Sequence, residues 1–290
     1  MVKTTLVLAA DSNYLDYAIT LLHQIRSEER GNYAGHVSLI TPAGTDLFPY
    51  KSHLNLVANN FSHLSVNFEN YKELKLSASH LSESTYSRLF LEELIPVTFD
   101  KCLYLDVDLL INSDLNELLS IEFEQTLMAL PYEAIPTSNS IFEPGTKYFN
   151  AGVMLIDMQK WRKEQVLKKC LHMVSQYGPF EYADQDVLNL VMVNKWQPLG
   201  QTFNYLFPPP TSSAKLKRPQ IVHFAGSGKP WNRANGGSFG RQWRKTHRQL
   251  FPDFKLGRYA YLIELRINIR EILHKAWWPL YRSLRSRWQN

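Results

Sequence analysis

Short apolar runs ended by turn residues alternate with helix-periodic segments through the first two-thirds of the chain. That alternation limits the possible folds more than any other feature. Leu6 to Ala10 reads as a strand, and Leu15, Ala18, Ile19 and Leu22 then recur on one helical face. Val37 to Ile40 forms a second run, ended by Thr41-Pro42, and Leu64, Val66 and Phe68 alternate as a third strand does. A helix is expected from about Ser84 to Leu94, stopped by Pro96, then a strand ending at Asp106 and another from Leu127 to Leu130. "AGVMLIDM" follows, then a single helix from Gln159 to Tyr177, stopped by Gly178-Pro179. Strands alternating with helices predict an open α/β sheet with helices on its faces. In such sheets ligands bind beyond the carboxyl ends of the strands. "AADSNY" after the first strand and "LDVD" at the end of a later one both lie there.

The 290 residues suffice for one large domain or two small ones, and 44% hydrophobic residues can bury a substantial core. No run approaches the roughly 18–20 apolar residues of a membrane-spanning helix. "MVKTTLVLAADSNY" reads as a first strand, not a signal peptide. The two cysteines, Cys102 and Cys170, are expected in the core, which fits a reducing cytoplasm. Net charge is +5 but unevenly spread: residues 241–290 hold 12 Lys/Arg against 3 Asp/Glu, so the remainder is mildly acidic. In the tail, Leu262, Leu265, Ile269, Leu273, Trp277, Leu280 and Leu284 recur at helical spacing among arginines. A basic amphipathic tail suits an acidic surface, either lipid or nucleic acid. It contains no recognised nucleic-acid module, so lipid is the expected partner.

In "KCLYLDVDLLI", Asp106 and Asp108 sit two residues apart at the end of an apolar run. Carboxylates there are costly to bury unless they are paired or hold a cation. Two strand-end carboxylates suit a hard divalent ion. An Asp-x-Asp alone is compatible with a haloacid-dehalogenase-type phosphatase or a nucleotide-sugar glycosyltransferase. The phosphatase pattern places the motif on the first strand and follows it with Gly-Thr, whereas here Leu109-Leu110 follows and about a hundred residues precede.

Six motifs in order then bear on the choice: "AADSNY", "TYSRLFLEELI", "YLDVDLLI", "YFNAGVMLIDMQKWR", "ADQDVLN" and "HFAGSGKPW". From about Leu6 to Trp231 the sequence resembles glycosyltransferase family 8, particularly bacterial lipopolysaccharide galactosyl- and glucosyltransferases, with glycogenin more distant. The resemblance implies a Rossmann-like nucleotide-binding fold of GT-A type, with an open mixed sheet flanked by helices. The change of character after Gly257 divides the chain into an expected catalytic domain over residues 1–256 and a basic amphipathic, membrane-associating tail over 257–290. The resemblance also implies retaining transfer of galactose or glucose from a UDP-sugar to a lipooligosaccharide, lipopolysaccharide or other glycan acceptor. The enzyme is then expected in the cytoplasm, on the anionic inner face of the cytoplasmic membrane. A non-catalytic sugar- or lipid-binding protein on the same scaffold is the alternative.

By the same resemblance Asp106, Asp108 and His223 hold Mn²⁺, with Mg²⁺ as a second option, and the mixed oxygen and nitrogen donor set is compatible with Mn²⁺. Ala9, Asp11, Asn13 and Tyr14 match the uridine segment, although Asp11 also suits a helix N-cap. Arg88 matches a position by the donor sugar and diphosphate. Gly226 permits close backbone approach, and Lys229 can neutralise phosphate charge. Asn150, Gly152, Asp184 and Gln185 match positions around the transferred sugar, and His80 an acceptor-side position. Asp184 and Asp186 equally suit the first turn of a helix, where the macrodipole favours negative charge. In the family this glutamine sits beneath the anomeric carbon, so the resemblance implies that place for Gln185, with front-face attack and a covalent intermediate both open. Val153, Leu155 and Trp161 are expected in the core.

Overall fold

In the computed structural model the chain opens with β1 (Thr4–Ala9), α1 (Leu15–Arg26), β2 (His36–Pro42), α2 (Lys51–Asn55) and β3 (Phe61–Val66). Next come α3 (Leu91–Leu94), β4 (Lys101–Leu105), β5 (Leu109–Ile111), α4 (Asn116–Leu119), β6 (Leu127–Pro131) and β7 (Phe149–Asp157). Then follow α5 (Met158–Lys163), α6 (Val166–Tyr177), α7 (Ala183–Val191), β8 (Trp196–Pro198), β9 (Tyr205–Leu206), β10 (Ile221–His223) and α8 (Gly237–Leu250). The structure describes residues 2–55, 60–72, 74, 83–132, 142–143, 145–208, 216–226, 228–231 and 237–255.

The chain divides into two units, one ending at His223 and one beginning at Phe224. In the first, a seven-stranded sheet has the order β3-β2-β1-β4-β7-β6-β8. β1 pairs in parallel with β2 and β4, and β2 in parallel with β3. β7 runs antiparallel to both β4 and β6, and β8 lies parallel to β6. The open mixed sheet expected from the alternation is therefore present. Its central strands are buried on both faces, which is why they read as continuous apolar runs. Val7, Cys102, Tyr104, Met154 and Ile156 enter a core with α5, α6 and α7. Their strand neighbours Leu6, Leu8, Leu103, Leu105, Val153 and Leu155 enter a second core with α1. Cys102 and Cys170 are free and buried, and Val153, Leu155 and Trp161 are core as expected.

Two helices differ from the sequence expectation. The segment foreseen as one helix from Ser84 to Leu94 is a 3₁₀ helix, Glu83–Phe90, leading into α3. Tyr86 to Leu91 is buried at every position, so the segment has no solvent stripe for a 3.6-residue period to mark. The helix foreseen from Gln159 to Tyr177 is divided into α5 and α6 at Gln165, whose φ of 52° is left-handed. Asp157 caps α5 by accepting from the N–H groups of Gln159 and Lys160, both at 3.0 Å.

In the second unit, Trp243 of α8 stacks on His247, with ring centroids 4.8 Å apart, and meets Trp231 at 5.4 Å. Arg244 donates to the Pro230 carbonyl at 3.2 Å. The expected boundary at residue 256/257 and the basic tail lie outside the described residues. Among the described residues, no helix is long and apolar enough to cross a membrane.

Candidate metal centre

β1 and β4 are neighbours, but β2 and β3 extend to one side of β1 while β7, β6 and β8 extend to the other side of β4. The connections therefore diverge at this pair, and in such sheets ligands bind beyond the carboxyl ends of the strands at that point. Asp11 lies two residues past β1, and Asp106 directly follows β4. After Asp108 the chain enters a second, three-stranded sheet of order β5-β10-β9. Antiparallel pairing of β10 with β5 sets His223 opposite Leu109, the residue after Asp108. Pairing of β4 with β7 continues as Asp106 N–H donates to the Gly152 carbonyl at 2.8 Å. Register alone thus gathers Asp106, Asp108, Gly152 and His223.

One ligand atom from each of Asp106, Asp108 and His223 lies within 4.8 Å of the other two. His223 Nε2 is 3.4 Å from Asp108 Oδ1 and 3.9 Å from Asp106 Oδ2. A hard cation with bonds of about 2.0–2.6 Å places adjacent ligands about 3–4 Å apart, so these donors fit one ion. Asp108 and His223 are buried and Asp106 is partly exposed, leaving the group open on one side. Gly152 makes the close approach possible. A Cβ there would lie 2.2 Å from His223 Cε1 and 2.9 Å from Asp106 Oδ2.

Beneath the group, the Arg88 guanidinium meets three partners, two by hydrogen bonds and one, Asp184, as an ion pair. Nη2 donates to Asp106 Oδ1 at 2.7 Å, Nε reaches Asp184 Oδ2 at 2.6 Å, and Nη1 donates to the Ala151 carbonyl at 2.7 Å. The guanidinium also lies over the Tyr104 ring, 4.6 Å from its centroid. Burial works against the Arg88 charge, but Asp106 and Asp184 outweigh it and raise its pKa. Burial likewise pushes Asp184 up to about 7; Arg88 opposes this and Asp106 adds to it.

The "ADQDVLN" stretch forms α7, and its acids are not solvated first-turn charges. Asp184 pairs with Arg88, while Asp186 accepts from Tyr148 Oη at 2.5 Å and from the Tyr182 N–H at 2.9 Å. Gln185 Oε1 accepts from the Ala151 N–H at 3.0 Å and Asn150 Nδ2 at 3.2 Å, and its Nε2 donates to Tyr148 Oη at 3.2 Å. A register jump allows this: Ala129 of β6 faces Met154 of β7, but Leu130 faces Asn150. The Ala151 and Gly152 N–H groups then go to the side chains of Gln185 and Asn150.

Asp11 does not cap α1, which begins at Leu15. Its Oδ1 accepts from the Asn13 N–H at 2.9 Å and its Oδ2 from Ser84 Oγ at 3.2 Å. Ala9 closes β1, and Asn13 and Tyr14 are exposed in the turn that follows. In the second unit, Gly226 has a φ of +73°, and Lys229 donates to the Phe224 carbonyl at 3.0 Å. His80 lies outside the described residues.

The sequence reading missed Asn204 and Tyr148. Asn204 Oδ1 lies 3.0 Å from His223 Nδ1, and its Nδ2 donates to Asn150 Oδ1 at 2.9 Å. It sits at the head of "NYLFPPPTSSAKLKRP", whose prolines and serines give a loop signal that masks β9. Tyr148 stands inside the "YFNAGVMLIDMQKWR" motif, where nothing local separates it from core aromatics.

Gly152→Ala tests the packed approach. The added methyl should displace His223 and lower Mn²⁺ affinity by about 10-fold or more. Overpacking should cost about 1–3 kcal/mol of stability. Calorimetric titration with Mn²⁺, run beside thermal unfolding, measures both, and wild-type Mn²⁺ affinity in the variant would show that the close approach is dispensable.

The family model for Glycosyl transferase family 8 matches residues 5–235, which include every residue of this centre. The chain is similar to General stress protein A of Bacillus subtilis (strain 168), 28% identical over 185 residues that cover 56% of this chain and 64% of that protein. It is similar to the lipopolysaccharide 1,2-glucosyltransferase of Escherichia coli (strain K12), 28% identical over 172 residues, 52% of this chain and 50% of that one. The chain thus spans between half and two-thirds of the length of these curated relatives. Among solved structures it is similar to the galactosyltransferase LgtC in complex with donor and acceptor sugar analogs. That likeness has a TM-score of 0.73 at 25% identity, covering 84% of this chain and 95% of that one. The open mixed α/β sheet of GT-A type is shared with such neighbours. The chain belongs to glycosyl transferase family 8.

Proposed function

We propose that this protein is a metal-dependent, retaining hexosyltransferase. It moves galactose or glucose from a UDP-sugar to a lipooligosaccharide, lipopolysaccharide or other glycan acceptor. The observation that carries this reading is the convergence of Asp106, Asp108 and His223 at the point where the sheet connections diverge. The names of the E. coli glucosyltransferase and of LgtC support a hexose donor and a glycan acceptor.

Asp106, Asp108 and His223 would hold Mn²⁺, or Mg²⁺, which supplies charge neutralisation for the diphosphate and for the departing UDP. The imidazole ligand favours Mn²⁺ over Mg²⁺. Ala9, Asp11, Asn13 and Tyr14 take the uridine: the Asp11 carboxylate can accept from the uracil imide, and the exposed Tyr14 ring offers a stacking face. Arg88, Asn150 and Asp184 serve the donor sugar, with Arg88 holding the two acids in place. Gly226 and Lys229 are assigned to the diphosphate, and His80 to the acceptor, on their motif positions alone. Gln185 acts by position. Its oxygen already accepts two hydrogen bonds, which weakens it as a nucleophile and favours front-face attack by the acceptor hydroxyl through an oxocarbenium-like state.

The tail, outside the described residues, is read from its sequence. Trp277, Trp278, Tyr281 and Trp288 among Lys275, Arg282, Arg285 and Arg287 suit a headgroup region, which would hold the enzyme on the inner face of the cytoplasmic membrane. Each such cation contributes about 1 kcal/mol near an anionic leaflet.

Asp108→Ala should abolish Mn²⁺-dependent UDP binding while the fold survives, because Asp108 lies between β4 and β5. Calorimetry with UDP and Mn²⁺ checks this, and turnover unaffected by EDTA would sink the metal assignment. Gln185→Ala should keep residual transfer with retained anomeric configuration, read by NMR of the product; complete loss, restored by added azide as a glycosyl azide, would instead point to a covalent intermediate. Deleting residues 275–290 should leave UDP-sugar hydrolysis nearly intact and reduce co-sedimentation with anionic vesicles at low salt. Equal sedimentation of the truncated and full chains would remove the tail as the membrane contact.

A further inference from the structure

We infer that Asn204 is a positioning residue that fixes the tautomer of His223 and ties the metal centre to Gln185. The inference rests on the proposed reading in taking Asp106, Asp108 and His223 as metal ligands. Amide oxygen and nitrogen differ in what they can meet, and a backbone N–H can only donate. Two backbone donors therefore orient the whole array. The Ala151 N–H faces Gln185 at 3.0 Å, so the facing atom is the Gln185 oxygen. The Gly152 N–H faces Asn150 at 3.1 Å, so that atom is the Asn150 oxygen.

The rest follows by elimination. Asn150 turns its NH₂ to the Gln185 oxygen at 3.2 Å. The Asn204 atom 2.9 Å from the Asn150 oxygen must then be nitrogen, because two oxygens cannot hydrogen-bond without a proton between them. Asn204 consequently turns its oxygen to His223 Nδ1 at 3.0 Å. Nδ1 carries the proton, and Nε2 keeps its lone pair facing the Asp106 and Asp108 carboxylates. A metal-ligating imidazole needs that form.

The far end of the array is anionic. The Gln185 NH₂ donates to Tyr148 Oη at 3.2 Å, and the Tyr148 hydroxyl donates to Asp186 at 2.5 Å. From His223 through Asn204, Asn150, Gln185 and Tyr148, every donor points toward Asp186. Hydrogen bonds aligned in this way polarise one another, making Nε2 a better ligand. Asn204 and Asp186 are both shielded from solvent, so water does not readily substitute for either. Asn204 is the link through which the orientation of Gln185 and that of His223 depend on each other.

The test uses the full chain with ¹⁵N-labelled histidine. Long-range ¹H–¹⁵N spectra of the metal-free protein, recorded where imidazole is neutral, should show His223 protonated at Nδ1. Asn204→Ala should move it toward the Nε2–H form and lower Mn²⁺ affinity by about 10–100-fold. Asn204→Asp keeps an acceptor at Nδ1 but sets an oxygen against the Asn150 oxygen. It should keep the tautomer and near-wild-type Mn²⁺ affinity while kcat for transfer falls. Should Asn204→Ala fail to fold, the wild-type tautomer and the aspartate variant decide. The inference is overturned if wild-type His223 carries its proton on Nε2, or if Asn204→Ala folds with tautomer and Mn²⁺ affinity unchanged. A wild-type chain protonated at Nδ1 that binds no Mn²⁺ overturns the metal reading and upholds the tautomer assignment.

Discussion

Three carboxylates, Asp106, Asp108 and Asp184, stand where an apolar sheet ends, and such a cluster of like charge is unstable by itself. Arg88 is what makes it tolerable. Its guanidinium spans Asp106 and Asp184, and its remaining edge is fixed by the Ala151 carbonyl. Taking these ions from water costs several kcal/mol each, and only closely matched pairing offsets that cost. The arrangement also divides the labour of Asp106. One oxygen is held by arginine while the other faces His223 and Gly152. A carboxylate restrained in this way meets a cation without first having to be ordered.

The strands convert that local balance into a site. Asp106 stops β4 at the sheet's divergence point, and Asp108 turns the chain into β5, which brings in β10 and with it His223. The register jump between β6 and β7 then releases backbone donors where Gln185 and Asn150 need them. The ligands and the residues assigned to the sugar are thus neighbours because two sheets share the segment from Lys101 to Ile111.

Much of this was legible in the sequence because it is written in short-range patterns. The runs that became β1, β2, β4, β6 and β7 are apolar on both faces, and such runs are visible whatever surrounds them. Asp106 and Asp108 stood out because acids in that setting demand an explanation. What stayed hidden depends on partners far along the chain. The left-handed Gln165 leaves no compositional mark, since only Gly or Asn would have signalled it. Asp11, matched to the uridine segment, also suited a helix cap, and its bond to Ser84 Oγ was hidden because it joins distant segments. Asn204 was hidden for the same reason, being one polar residue beside a proline-rich stretch whose partners are Asn150 and His223.

Pairing of β10 with β5 also has a consequence for the order in which the chain acquires its properties. Both aspartates leave the ribosome long before the histidine does. Every nascent chain that ends before Ile221 carries two acids beside an unfilled place in the small sheet. Closing a loop of that length is slow compared with local folding, because its entropy must be met before any distant contact rewards it. If Asp106, Asp108 and His223 hold the proposed ion, its capture is tied to completion of the first unit. A polypeptide ending before β10 would then hold divalent ions only weakly, and ion retention would report that β10 has docked against β5.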